Sequence, residues 1–492
     1  MTVGASVDNV QGLSLHVAYI TSEMAPYVKT GGLADVSAAL PKALTHLGHR
    51  VTVVLPLYRD VDRTGFELRG SVHVPMAGEP RSATFHATRA GDVEVVFVEH
   101  DPFFDRPFPY GVASTDYPDN NIRFAFFARA ALEYFRSRAQ RPDVVHAHDW
   151  QAGLVPVYMK THYWDDPTLG RVPSVFTIHN LAYQGRFAMD TLQKVDLPWH
   201  LGTPEGLEFH SSICYMKGGV LFAELLSTVS PQYAQEIQTP EMGYHFDGLL
   251  RARRADLVGI LNGVDYDEWD PAHDRDIARP YGKDLKGKPA AKDDLLRTFG
   301  LPAKPALPLV GILSRLVHQK GFDIVADAWY DLLQRPLRMV VVGTGDADVQ
   351  EGFLRLVAKA PDRFAVKFVY DPALAHKLVA GSDMLLMPSR YEPCGLTQMY
   401  ALRYGTVPVV RATGGLVDTV EPFDVATMEG TGFCFGTADG TGLLWALDNA
   451  LLVYEERPVW RALQANGMAR DFSWDRSAES YVDLYRESSN RV

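Results

Sequence analysis

Along the chain, short runs of β-branched and aromatic residues alternate with longer stretches whose apolar positions recur every three or four residues. The first run, "LSLHVAYI" (13–20), is followed by a polar elbow, "KTGGLADV" (29–36). Leu33, Val36, Leu40, Leu44 and Leu47 then keep helical spacing until Gly48. This predicts strand, loop, helix. "RVTVVLP" (50–56), "VEVVFVEH" (93–100), "PDVVHAHDW" (142–150) and "VPSVFTIHN" (172–180) read as further strands, the apolar ones continuous enough to be covered on both faces of a parallel sheet. After "GILNGVDYDEWDP" (259–271) comes a polar stretch with Lys283, Lys286, Lys288, Pro289 and Lys292. The alternation then restarts with "LPLVGILSRL" (307–316), "LRMVVVGTG" (337–345), "RFAVKFVY" (363–370), "DMLLMPS" (383–389) and "TVPVVRA" (406–412). The pattern predicts an α/β fold of two doubly wound, Rossmann-like domains, residues 1–257 and 258–472.

Size supports the division, since 492 residues exceed what one core usually holds. The balance of 48 Lys+Arg against 60 Asp+Glu, a formal charge of −12, argues against broad binding to nucleic acid or acidic membranes. Cys214, Cys394 and Cys434 are scattered and odd in number, with no zinc-type spacing, which fits a reducing cytoplasm. The first twenty residues lack the basic segment and apolar core of a leader, and no run approaches membrane-spanning length. A cytoplasmic protein is expected.

The elbow has an echo. "TGGLADV" (30–36) returns as "TGGLVDTV" (413–420), each after a strand-like run and each opening a helix. Duplication and convergent use of one turn both explain it. Paired glycines signal either an unusual turn or something that approaches the main chain closely, and a helix start with free N–H groups suits an anion. Which phosphate chemistry is meant depends on other motifs. No Walker loop occurs, and "GTGDAD" (343–348) has Asp348 where a dinucleotide fingerprint needs glycine. Asp346 and Asp348 form a candidate carboxylate pair for Mg²⁺, but "DVD" (60–62) and "DRD" (274–276) show how often such pairs arise by chance.

"SRLVHQKGFD" (314–323) places Arg315 and Lys320 between a strand and a helix, where open α/β sheets bind ligands. A guanidinium and an ammonium there can neutralise a departing diphosphate; alternatively they are two solvated loop cations. "PSRYEPCGLTQMYALRYG" (388–405) sets Glu392 beside a predicted helix start at Gly395, Leu396 and Thr397. A carboxylate next to an anion site suits sugar hydroxyls attached to that phosphate; alternatively Glu392 caps the helix.

Taken in order, "KTGGLADV", "HAHDWQAGL", "HNLAYQG", "NGVDYDEWDP", "SRLVHQKGFD" and "PSRYEPCGLTQMYALRYGTVPVVRATGGLVDTV" closely resemble the bacterial glycogen synthases and plant starch synthases over nearly the whole chain. The resemblance implies a GT-B glycosyltransferase with a deep cleft and a C-terminal helix at 473–492 crossing back to the N-terminal domain. Its reaction would move glucose from ADP-glucose to the non-reducing-end 4-hydroxyl of an α-1,4-glucan such as glycogen, with retention. No metal or other cofactor is expected, because Arg315, Lys320 and the helix start at Gly395 to Thr397 would neutralise the departing diphosphate. By resemblance, Lys29, Gly31, Gly32, Asn262, Arg315, Lys320, Tyr370, Glu392, Cys394, Gly395, Leu396 and Thr397 form the donor side, with Tyr370 stacking on adenine. Asp35, Asp149, Asn180, Tyr183 and Gln184 fall on the sugar or acceptor side, and His179, Glu392, Arg315, Lys320 and Asp149 would carry the chemistry. His146 and His148 read as structural. A carboxylate nucleophile would be needed for double displacement, whereas the resemblance favours front-side attack with the departing phosphate taking the acceptor's proton. A UDP-sugar transferase, a glucan phosphorylase and a non-catalytic glucan-binding protein are the alternatives.

Overall fold

The structure, a computed structural model, describes residues 14–76, 81–112, 115–304 and 306–492. Residues 1–13, part of the stretch read as carrying no leader, lie outside the described residues. Two compact units emerge: the first is the chain up to Leu226 together with Ala478–Val492, the second is Ser227–Ser477. By internal contacts the first division therefore falls at 226, ahead of the predicted 257. No helix among the described residues is long and apolar enough to cross a membrane.

The first unit is built on strands β1 (His16–Ile20), β2 (Arg50–Pro56), β3 (Glu67–Val74), β4 (Arg81–Ala90), β5 (Val93–Glu99), β6 (Val144–His148) and β7 (Ser174–Ile178). Hydrogen-bonded neighbours run β7-β6-β1-β2-β5-β4-β3. The five predicted strands are parallel, with Val17 opposite both Val51 and Val144, and His148 opposite Thr177. β3 and β4 extend one edge as an antiparallel ribbon. Along β4, Ala83, Phe85 and Ala87 are buried between less buried neighbours because one face meets solvent. Helix α1 (Gly32–His46) follows the elbow, and α2 (Asn120–Ser137) is buried nearly all round. Arg123 inside α2 is tolerated because its guanidinium donates to the carbonyls of Phe103 and Pro109 and to Asn120 Oδ1.

In the second unit β8 (Leu309–Leu313), β9 (Arg338–Val342), β10 (Phe364–Lys367), β11 (Met384–Met387), β12 (Val407–Arg411) and β13 (Phe433–Phe435) form an all-parallel sheet in the order β10-β9-β8-β11-β12-β13. Strict alternation divides its side chains between two cores. Val310, Ile312, Met339, Val341, Met384, Leu386, Val407 and Val409 enter one; Leu309, Val340, Val342, Leu385, Met387 and Val410 enter the other. Both faces are covered, so these strands read as unbroken apolar runs. Short helices α3 (Phe322–Asp327), α4 (Thr397–Arg403) and α5 (Gly415–Thr419) follow β8, β11 and β12. The last helix, α6 (Trp474–Ser489), returns its residues from Ala478 onward to the first unit.

Candidate active site

In the first unit the functional side chains collect at the carboxyl ends of β1, β6 and β7. Asp149, just past β6, adopts φ 54° and ψ 179°, a left-handed conformation that costs a non-glycine residue about 1–3 kcal/mol. It is held there from both sides. Its N–H donates to Thr177 O (3.0 Å), and its Oδ1 accepts from the His179 N–H at 2.7 Å and the Asn180 N–H at 3.5 Å. Burial pushes the Asp149 carboxyl up to about 7 despite those two donors. His179 is buried and its imidazole is held down to about 3 by desolvation, so it is neutral. His148 Nδ1 lies 2.9 Å from His179 Nε2. Asn180 Oδ1 accepts from the Ala182 N–H, opening the turn that leaves Tyr183 exposed. The Gln184 carbonyl accepts from Met216 N–H. The next residue, Gly185, has φ +60°, and a Cβ there would lie 2.4 Å from the Trp150 ring, so this glycine lets the two motifs pack.

The elbow after β1 is fastened by a carboxylate the sequence reading overlooked. Buried Glu23 accepts from the Thr30 N–H (2.6 Å), the Thr30 hydroxyl (2.5 Å) and the Tyr110 hydroxyl (2.6 Å). Lys29 Nζ donates to Asp35 Oδ1 at 2.6 Å, within its own motif. Gly31 has φ −160°, extended backbone that any residue adopts, and a Cβ on Gly31 or Gly32 would meet nothing within 4 Å. Of the two explanations for the glycine pair, the strained turn therefore drops out, leaving open space above the main chain. The echo differs. There the Gly414 N–H (2.9 Å) and the Thr413 hydroxyl (3.2 Å) donate to Glu236, so the anion at the second "TGGL" turn is the chain's own carboxylate.

In the second unit two loops are laced together. Arg390 N–H donates to Gln319 O (2.9 Å), Arg390 pairs with Asp323, and Arg411 Nη1 donates to Ser389 O (3.2 Å) and Arg390 O (2.6 Å). Gly321, at φ +69°, allows the close approach, since a Cβ there would sit 2.0 Å from Pro388 O. Across this lacing Lys320 Nζ donates to Glu392 Oε1 at 2.8 Å and Oε2 at 2.6 Å, and Ser389 Oγ donates to Oε2 at 2.9 Å. Among the described residues no helix N–H donates to the Glu392 carboxylate; the Gly415 N–H at the start of α5 donates to its main-chain carbonyl at 3.1 Å, and Gln398 Nε2 donates to Cys394 O and Gly395 O just before α4. Arg315 is exposed. Cys394 is buried, its thiol pushed up to about 12 by desolvation, with the Asn262 N–H directed at it. Gly395 takes φ +71°, and Leu396 precedes the first residue of α4, Thr397. Tyr370, beyond β10, is 74% exposed, which disposes of a core role.

Asp346 and Asp348 are exposed at the start of the helix Ala347–Lys359, Asp346 at its N-cap position and Asp348 in its first turn, where an acid suits the helix dipole. Among the described residues, Asp274, Asp276 and His376 bring three candidate ligand atoms within 4.8 Å of one another. Asp274 is already satisfied there by His376 Nδ1 (2.8 Å) and the Tyr404 hydroxyl (2.6 Å), beneath the stacked Trp269 ring.

Residues 16–252 match the family model described as the starch synthase catalytic domain, and residues 299–462 that of glycosyl transferases group 1. The glycogen synthase of Anaeromyxobacter sp. (strain Fw109-5) is 48% identical over 96% of this chain and 99% of that protein. The chain belongs to the glycogen and starch synthase family. Glycogen synthase 2 of Geobacter sulfurreducens is 44% identical over 97% of this chain and 99% of its own length. Among solved structures, the catalytic domain of starch synthase IV from Arabidopsis thaliana, bound to ADP and acarbose, aligns with a TM-score of 0.90 at 34% identity, covering 97% of this chain and all of that one. This synthase is thus a glycosyltransferase with the GT-B fold. Glu23, Ser389, Glu236 and Arg411 hold these loops by hydrogen bonds, and reading the sequence missed them. Glu236 and Arg411 act on residues far off in sequence, Glu23 and Ser389 on near ones, and Ser389 and Arg411 lay inside quoted motifs without being singled out.

Proposed function

We propose that this synthase transfers glucose from ADP-glucose to the non-reducing-end 4-hydroxyl of an α-1,4-glucan, with retention. The observation that carries the reading is the Lys320–Glu392–Ser389 cluster, at the carboxyl ends of β8 and β11, with exposed Arg315 two residues past β8. Arg315 and Lys320 take the diphosphate, and Lys320 exchanges one of its bonds to Glu392 for a phosphate oxygen. The freed lone pairs of Glu392 accept from glucose hydroxyls, and the carboxylate supports positive charge at the anomeric carbon. Tyr370 offers an uncommitted π-face to adenine. Asn262, Cys394 and the Gly395–Thr397 turn line the donor side. In the first unit Lys29 and the open backbone of Gly31 and Gly32 receive the donor, while Asp35, Asp149, His179, Asn180, Tyr183 and Gln184 serve the sugar and acceptor.

The reaction proceeds by front-side attack. The acceptor oxygen bonds the anomeric carbon on the face that the diphosphate leaves, and its proton passes to the departing phosphate oxygen. Glu392 stays bonded to Lys320 and Ser389, so positioning and charge neutralisation carry the rate. No divalent metal takes part, and the three free cysteines suit a reducing cytoplasm.

Incubation with glycogen and either ADP-glucose or UDP-glucose, following nucleotide release with and without EDTA, tests the reading. Release of ADP, with the new linkage α-1,4 and activity unchanged by EDTA, is the expected result. Turnover only with UDP-glucose, or loss to EDTA restored by Mg²⁺, overturns the donor or the metal-free assignment.

A further inference from the structure

Three histidines lie under the strand ends of the first unit. His146 is satisfied on both nitrogens, by the Tyr485 hydroxyl at 2.9 Å and by Thr177 Oγ1 at 2.6 Å. His148 is not. It is fully buried, its ring stacked at 4.0 Å on Tyr19, and only Nδ1 has a partner, His179 Nε2 at 2.9 Å. Its Nε2 is a buried polar atom with no hydrogen bond among the described residues.

Because burial keeps both rings neutral, one proton is shared in one of two ways. If His179 donates, its proton sits on Nε2, and neutral His148 must carry its own on Nε2, a buried N–H with no acceptor. If His148 donates from Nδ1, the orphan at its Nε2 is a bare lone pair. Buried donors without acceptors are the rarer defect in folded proteins, and burial of either orphan has to be borne by the surrounding fold. The second arrangement also has a consequence at the surface. Neutral His179, accepting on Nε2, must carry its proton on Nδ1, the ring nitrogen with no partner among the described residues.

We infer that His148 is a positioning residue which, by donating from Nδ1 to His179 Nε2, fixes His179 as a permanent hydrogen-bond donor through Nδ1 toward an oxygen of the sugar substrate. Asp149 completes the brace by accepting from the His179 main-chain N–H, so ring and backbone of His179 are held independently. A fixed donor in this place selects an acceptor oxygen and disfavours a cationic or donor-only group at that position.

The test has two arms, and only the kinetic arm rests on the proposed glucosyl transfer. In protein carrying ¹⁵N-labelled histidine, with His148→Asn and His179→Asn used for assignment, long-range ¹H–¹⁵N correlation reads the tautomer directly. His179 is expected to show a pyrrole-type, protonated Nδ1 and a pyridine-type Nε2; a protonated Nε2 in the unsubstituted protein overturns the inference, whatever the enzyme's donor proves to be. Kinetically, asparagine places an amide nitrogen where His148 Nδ1 stands, so His148→Asn is expected to keep kcat within a few-fold. His148→Ala frees the His179 ring and is expected to lower kcat at least tenfold with the glucan KM unchanged. Equal kcat in the folded Asn and Ala variants overturns it, and should the Ala variant not fold, the tautomer measurement decides alone.

Discussion

Replacing Lys320 by alanine is the sharpest probe of the cationic site, because the structure fixes both what is lost and what is left behind. Two charge-assisted hydrogen bonds to Glu392 disappear, at 2.8 and 2.6 Å, from side chains only 17% and 5% exposed. The carboxylate then keeps one donor, Ser389 Oγ. Stranding a fully buried charge costs about 3–5 kcal/mol. Water reaching through the space the lysine leaves reduces that to about 2 kcal/mol, a fall of about 4–8 °C for a unit of this size. Glu392→Gln leaves instead a lysine long enough to reach water, at a cost of about 1 kcal/mol. The double variant strands no charge, so its loss is expected to be smaller than the sum by about 1 kcal/mol or more. Calorimetric melting of the four proteins without nucleotide measures this cycle. Losses that add within about 0.3 kcal/mol would mean the pair contributes nothing in the unliganded enzyme, and the exchange of partners proposed for Lys320 would lose its starting state.

Gly31→Ala and Gly32→Ala find empty space and no positive φ, so melting temperature is expected to hold or rise, while the donor KM rises at least tenfold; unchanged kinetics would refute the close approach. Tyr370→Ala, at an exposed position, is expected to leave stability within about 0.5 kcal/mol and weaken ADP binding by roughly 1–3 kcal/mol of lost stacking, read by calorimetric titration; unchanged affinity would remove the base from this tyrosine. For Asp149 the sign follows from its raised carboxyl. The unfolded chain releases that proton near pH ~4 and the folded one near about 7, so between these values the native state binds more protons and stability falls as pH rises. Asp149→Asn is expected to gain stability relative to the parent between pH 5 and 7.5 in urea titrations; a pH-independent difference would refute the assignment.

Ten strands were legible because a parallel sheet covered on both faces writes itself as unbroken apolar runs, as in "RVTVVLP" and "DMLLMPS". The ribbon β3–β4 was not, since Glu67–Val74 is largely exposed and carries little apolar periodicity. The short strands Leu225–Thr228 and Leu257–Gly259 offered too few residues for a period to register. Motif residues such as Lys320 and Glu392 announced themselves by position, but their direct pairing could not be read from positions 72 apart. Glu23 was hidden for the opposite reason: it sits seven residues before Thr30, in a stretch with no repeat or charge pattern to set it off. The helix start at α4, read as an anion site, is the entry to a seven-residue helix, and the Gln398 amide that donates to Gly395 O beside it could not be read from the sequence.

The first unit is discontinuous in sequence, and this sets an order of events during synthesis. His146 lies in the middle of its sheet, yet the hydroxyl that satisfies Nδ1 belongs to Tyr485 on α6. On the ribosome, β1, β6 and β7 emerge and can pair long before residue 485 exists, and in that interval the His146 imidazole lacks the hydrogen-bond partner of its Nδ1, beneath the strand ends that carry Asp149 and His179. The second unit, contiguous from Ser227 to Ser477, has all its residues before the first has its last. Completion of the nascent enzyme therefore waits on its final helix, and a chain released before that point carries its catalytic motifs on a foundation with one bond missing.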